Sequence, residues 1–164
     1  MCIRERFLDC GKWLEAHGKT LDELLAAGWD VGVVWQDGRA FHGQTHIRSV
    51  IVNDCEYLNH LAFNGQRYCR ELSALNCPSL SHIEARDCDY RQITVKPMGY
   101  DAPLDVSSIG NCSVGMDYSF TGSQEADLYA YPTEELGFIG WFVGGQLVST
   151  ETDYVHQGGG KVYA

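Results

Sequence analysis

Apolar positions in this chain recur every eleven residues between His46 and Val95. One column holds Ile47, Leu58, Cys69 and Leu80, and the next Val50, Leu61, Leu72 and Ile83. A third holds Val52, Phe63, Ala74 and Ala85. A fourth holds Cys55, Gln66, Cys77 and Cys88, and a fifth Tyr57, Tyr68, Ser79 and Tyr90. Similar segments at a fixed spacing predict a stacked architecture in which each unit buries its apolar face against its neighbours. Within each segment the alternation of side chains predicts a short strand. It turns Val50 and Val52, or Leu61 and Phe63, inward, and Ile51, Ala62, Ser73 and Glu84 outward.

The flanks follow other periods. Arg4 to Ala16 places Phe7, Trp13 and Leu14 at helical spacing, and Gly18 suits a left-handed cap. Thr20 and Glu23 read as a capping box opening a second helix, with Leu21, Leu24 and Leu25 as its buried stripe and Gly28 as its end. Val31 to Gln36 and Arg39 to His42 flank Asp37-Gly38, a type I′ hairpin signal. This region is expected to cap the stack. After the break at Pro97-Met98-Gly99, Tyr100 to Gly115 reads as loop, and Met116 to Phe120 and Ala126 to Tyr131 as strands. Phe138 to Val143 and Gln146 to Thr150 flank Gly144-Gly145, a second hairpin signal. Gly158 to Gly160 is expected to be mobile.

The aligned columns read L-x-x-L-x-L-x-x-C-x-aromatic, which resembles the leucine-rich-repeat signature L-x-x-L-x-L-x-x-N/C-x-L. The clearest copy is Leu80, Ile83, Ala85, Cys88 and Tyr90, followed by Ile47, Val50, Val52, Cys55 and Tyr57. In the copy Cys69, Leu72, Ala74 and Cys77 the first leucine is lost. The resemblance implies a solenoid whose cysteines stand in the family's interior polar ladder. The spacing departs from the family, whose repeats run about 20–29 residues. A 22-residue turn made of two similar halves is the preferred reading, because His60 and His82 both precede an apolar residue at that separation. The alternative is an antiparallel meander. The fold class expected is α+β, mainly β: a short leucine-rich-repeat-like β-solenoid stack with a helical N-terminal cap and C-terminal β hairpins. All of it is read as one domain, with a cap over 1–44, repeats over 45–98 and an acidic β-rich region over 99–164.

Composition bounds the function. The chain has 164 residues, 45% of them hydrophobic, enough for a sizeable core. No apolar run reaches the roughly 18 residues of a membrane span, and Met1 to Trp13 lacks the apolar core of a signal peptide. The expected location is the cytosol. Seven cysteines, none in a C-x-x-C pair, read as reduced thiols, with Cys55, Cys77 and Cys88 small and buried. The net charge is −10 and unevenly spread: beyond Pro97 the only basic side chain is Lys161. Against it stand Asp101, Asp105, Asp117, Glu125, Asp127, Glu134, Glu135, Glu151 and Asp153. Such a field repels nucleic acid and favours a basic protein surface, including that of a nucleic-acid-binding protein.

The chain contains no phosphate-binding glycine loop, H-E-x-x-H pair or G-x-S-x-G elbow. Three weaker candidates remain. Cys112, between Gly110 and Gly115, could act as a thiol nucleophile with His156 as base and Asp153 or Asp117 as orienter. The bland reading is a turn between strands. His42 and His46, joined by Cys55 or His60, have metal-ligand chemistry, but their place after a hairpin would not present both rings together. Neither a metal nor a cofactor is expected. The repeat should align Asn59, His60, Arg70, Glu71, Ser81 and His82 into a flat polar strip, the surface such proteins use for partners.

The function these features favour is a non-enzymatic protein-binding or inhibitory module. It would engage a basic partner through Asp101, Asp105, Asp117, Glu125, Asp127, Glu134 and Glu135, and through the strip residues Asn59, His60, Arg70, Glu71 and His82. In size and charge the chain resembles compact acidic inhibitors made by phages against host defence, and immunity proteins for nuclease toxins. The alternatives are a small thiol-dependent hydrolase using Cys112 and His156, and a structural assembly component. Neither nucleic acid nor membrane is expected as a direct partner.

Overall fold

In the computed structural model, the structure describes residues 32–35, 48–56, 58–65, 68–133 and 137–164. Chain order gives β1 (Gly32–Trp35), β2 (Ser49–Ile51), β3 (His60–Phe63), β4 (Glu71–Ala74), β5 (His82–Ala85) and β6 (Gln92–Val95). It continues with β7 (Leu104–Ser107), β8 (Cys112–Ser119), β9 (Glu125–Pro132), β10 (Trp141–Val143), β11 (Gln146–Ser149), β12 (Asp153–Gln157) and β13 (Gly160–Tyr163). They form two mixed sheets. Sheet A runs β1-β3-β5-β8-β9-β12 and sheet B runs β11-β10-β13-β7-β6-β4-β2.

The eleven-residue period makes the chain change sheet at every segment: β2, β4 and β6 lie in sheet B, β3 and β5 in sheet A. Equivalent residues two segments apart then pair in parallel, Val50 with Leu72 and Leu61 with Ile83. All four are fully buried in one core fed by the inner faces of both sheets. Each corner uses a residue in the left-handed region: Asp54 (φ 60), Gly65 (φ 73), Asn76 (φ 55) and Asp87 (φ 54). Glycine reaches that region without strain, and Asn and Asp tolerate it best among the rest. The residue before the corner then ties one layer to the next. Asn53 Oδ1 accepts from Leu75 N at 2.8 Å and Ser73 Oγ at 2.9 Å, and Asn64 Oδ1 accepts from Arg86 N at 2.7 Å. Behind the corner, the Cys77 and Cys88 thiols donate to Val52 O (3.1 Å) and Phe63 O (3.5 Å).

The leucine-rich-repeat-like solenoid is not what forms. The run of parallel pairs along the repeat ends at β5 and β6, where antiparallel strands follow, β8 beside β5 and β7 beside β6, and β13 then pairs in parallel with β7. The two mixed sheets do not close into a solenoid. The reversal has a local cause. Tyr100 N bonds back to Pro97 O at 3.2 Å, with Gly99 at φ 86, so the chain turns sharply and β7 returns along β6. The α+β class with a helical cap also fails, since no helix occurs among the described residues. The expected helices over 4–16 and 20–28, and the Asp37-Gly38 turn, lie outside the described residues. Of that expected hairpin only β1 is described, and it pairs in parallel with β3.

Two smaller expectations change. Residues 100–115 are not wholly loop, because β7 and the start of β8 fall there. Gly160 opens β13, an interior strand of sheet B between β10 and β7. Within the fifth column Tyr68 is exposed, whereas Tyr90 is fully buried with its hydroxyl donating to Phe63 O at 2.9 Å. The hairpin at Gly144-Gly145 is present: both glycines have positive φ and Val143 pairs with Gln146 across a two-residue turn.

Candidate functional site

The outer face of sheet A carries the most concentrated chemistry among the described residues. Alternation along each strand sends every second side chain outward, and the register fixes which of them meet. One cross-strand row runs His60, His82, Ser119. The next runs Ala62, Glu84, Asp117, Asp127, Val155. Three carboxylates thus stand side by side on consecutive strands. They line a cleft of about 380 Å³ with Glu125, His82 and Arg86. Its charged set is four carboxylates, Glu84, Asp117, Glu125 and Asp127, against the single guanidinium of Arg86.

Local contacts tune these groups. His82 Nε2 lies 2.9 Å from Glu84 Oε1, and Asn64 Nδ2 donates to Glu84 Oε2 at 3.4 Å. The hydrogen bond from His82 holds the Glu84 carboxyl below its ordinary value. Asp117 goes the other way, pushed up by burial against the opposing pull of Arg86. Arg86 Nε lies 3.1 Å from Asp117 Oδ1, yet that enclosed oxygen accepts no hydrogen bond. The pair is therefore charge against charge without N–H alignment. Tyr129 OH donates to Asp117 Oδ2 at 3.1 Å, and burial with the nearby Asp117 charge pushes the phenol up to about 12.

Beside the carboxylate row, the rings of His60 and His82 lie 4.3 Å apart, centroid to centroid. With Glu84 they bring three ligand-type atoms within 4.8 Å of one another. His42 and His46 lie outside the described residues. Cys55, offered as a companion ligand to His60, turns its thiol to Asn53 O at 3.6 Å.

The polar strip expected from the repeat is divided. Asn59, His60, Ser81 and His82 belong with sheet A, whereas Glu71 lies on β4 in sheet B, and Arg70 immediately precedes it. Segments eleven residues apart occupy different sheets, so only every second one lines up. The acidic set is divided too. Asp117, Glu125 and Asp127 share the cleft. Asp105 lies on β7 in sheet B, accepting from Ser107 Oγ and Gln92 Nε2, and Asp101 is exposed in the turn before it. Glu134 and Glu135 lie outside the described residues. Glu84, Arg86 and Asn64 belong to the site without having been singled out. Combining the 22-residue pairing with the two-residue alternation from His82 to Glu84 could have found Glu84.

Cys112, His156 and Asp153 do not meet. Cys112 pairs with Pro132 and His156 with Ala126, six residues apart along β9. At ~3.4 Å per residue that is ~20 Å. Cys112 is fully buried, and burial raises its thiol. His156 Nε2 lies 3.3 Å from Gly159 O. Asp153, an odd number of residues from His156 on β12, points to the other face. A second pocket of about 510 Å³, between Ile109, Ile139, Phe142 and Tyr163, holds no acid, base or thiol side chain apart from the Tyr163 phenol.

Compared with protein-family models, curated proteins and solved structures, the chain matches none of them. No helix among the described residues is long and apolar enough to cross a membrane.

Proposed function

We propose that this chain is a non-enzymatic protein-binding module that receives a basic segment of its partner in the acidic cleft of sheet A. It would be inhibitory where that segment belongs to a nucleic-acid-binding surface. The observation that carries the reading is the row Glu84, Asp117, Asp127 on three consecutive strands. Like charges directly opposite on a sheet are destabilising, so the row costs stability in the isolated protein. Burial raises the Asp117 carboxyl, and the neighbouring Glu84 and Asp127 charges push in the same direction. A lysine or arginine entering the cleft would relieve the repulsion and supply the hydrogen bond that Asp117 Oδ1 lacks. The same field repels phosphate backbones.

The test is fluorescence anisotropy with a labelled Lys/Arg-rich peptide and a Gln-substituted control. Binding should be confined to the basic peptide, weaken steeply with salt, and disappear in Asp117→Asn/Asp127→Asn. Binding equal for both peptides, or unchanged in the double variant, would refute the proposal.

A further inference from the structure

We infer that His60, His82 and Glu84 form a binding site for one divalent transition-metal ion of the zinc class on the outer face of sheet A. The site follows from register. His60 and His82 are Cα partners on neighbouring parallel strands, and Glu84 lies two residues beyond His82, on the same face. All three side chains are half-buried, and their ligand-type atoms lie within 4.8 Å of one another.

Two imidazoles with one carboxylate are the donor set of open zinc sites, in which water or an incoming group takes the fourth position. Magnesium and calcium prefer all-oxygen shells and would not choose this set. A tetrahedral ion with bonds of about 2.0–2.1 Å needs its ligand atoms ~3.4 Å apart. The 2.9 Å between His82 Nε2 and Glu84 Oε1 lies below that value and the 4.8 Å limit above it. Small side-chain rotations therefore suffice, with the strands unmoved. The ion would replace the proton shared by His82 Nε2 and Glu84 Oε1, which is released to solvent on binding.

Two surrounding features fit a cation. Asn64 Nδ2 holds the other oxygen of Glu84, and outer contacts of this kind fix a ligating carboxylate. Asp117 and Asp127 continue the row beyond Glu84 and add negative field at the site.

The inference does not depend on the basic-partner reading, and the two fail separately. The experiment uses the full chain, freed of metal by chelation and titrated with Co²⁺ and Zn²⁺. Expected are a tetrahedral Co²⁺ absorption band displaced by one equivalent of Zn²⁺, and Zn²⁺-dependent shifts of the ring nitrogens of both His60 and His82 by NMR. His60→Ala and His82→Ala should each weaken Zn²⁺ binding roughly a hundredfold or more, and Asn64→Ala roughly tenfold. Asp117→Asn/Asp127→Asn, which removes field but no ligand, should lower Zn²⁺ affinity far less than either histidine variant while losing the basic peptide. Zn²⁺ affinity weaker than about 1 mM, a shift of only one ring, or binding that persists in both histidine variants overturns the site. The ring shifts are read in the unaltered protein, so a variant that fails to fold does not decide the matter.

Discussion

Asp117 on β8 stands directly across from Asp127 on β9, with Glu84 of β5 on its other side, so its carboxylate is flanked by like charge on both neighbouring strands. Arg86 supplies countercharge from 3.1 Å. The burial that raises Asp117 and the His82 contact that lowers Glu84 give the two carboxyls opposite linkage to folding.

The pH dependence follows in sign. Glu84, depressed on folding, contributes stability above its unfolded value of 4.5 and loses it as pH falls through the folded value. Asp117, raised on folding, is penalised in the folded state at neutral pH, and the penalty fades as pH falls toward 3.8. Asp117→Asn should therefore unfold at higher temperature than the parent at pH 7, with the difference narrowing in acid. A Tm advantage that grows on acidification would contradict this assignment.

The thiols should differ in reactivity. Burial pushes Cys69 up to about 12 and Cys77 up to about 11, and raises Cys112. The nucleophile is the thiolate, so these three should resist iodoacetamide at neutral pH until the protein unfolds. Cys55 is half-exposed and should label ahead of them. Peptide mapping after a short pulse reads this directly. Rapid labelling of Cys112 would revive it as a nucleophile.

Gly115 lies in β8 beneath the Tyr131 ring. A Cβ there would sit 2.9 Å from Ala85 O and 2.9 Å from the ring. The backbone oxygen cannot move aside cheaply, so Gly115→Ala should cost about 1–3 kcal/mol. Urea denaturation should show a lower midpoint with the slope retained, and an unchanged midpoint would mean the strand shifts freely.

Asn53→Ala should be destabilising although Asn53 is only half-buried. Its Oδ1 accepts from both Leu75 N and Ser73 Oγ. Removing an acceptor from such donors costs about 1–3 kcal/mol. Hydrogen exchange should speed at Leu75 before distant strands such as β9; uniform acceleration would point to a global effect instead.

The inward columns were legible in the sequence because burial repeats with the backbone. Val50, Leu61, Leu72 and Ile83 fall where the period puts them. The 22-residue pairing of His60 with His82 was legible for the same reason. The corner column Asp54, Gly65, Asn76, Asp87 was equally visible but is polar, and a search keyed to apolar residues passes over it. What the repeat could not convey was its end. Beyond Val95 local hairpins such as β8–β9 and β10–β11 alternate with pairings between distant segments, β8 with β5 and β13 with β7, and no local period encodes the distant ones. The acidic cleft was half legible: the charges could be counted, but their division between sheets depends on pairings made after the repeat stops.

The alternation of segments between sheets limits how this chain can change length. Loss or duplication of one eleven-residue segment would carry Glu84 and every later repeat residue to the opposite sheet, scattering the cleft. Gain of two segments would preserve each face and add one more rung beside the paired histidines. Genetic drift in the middle of this protein should therefore proceed by whole doublets.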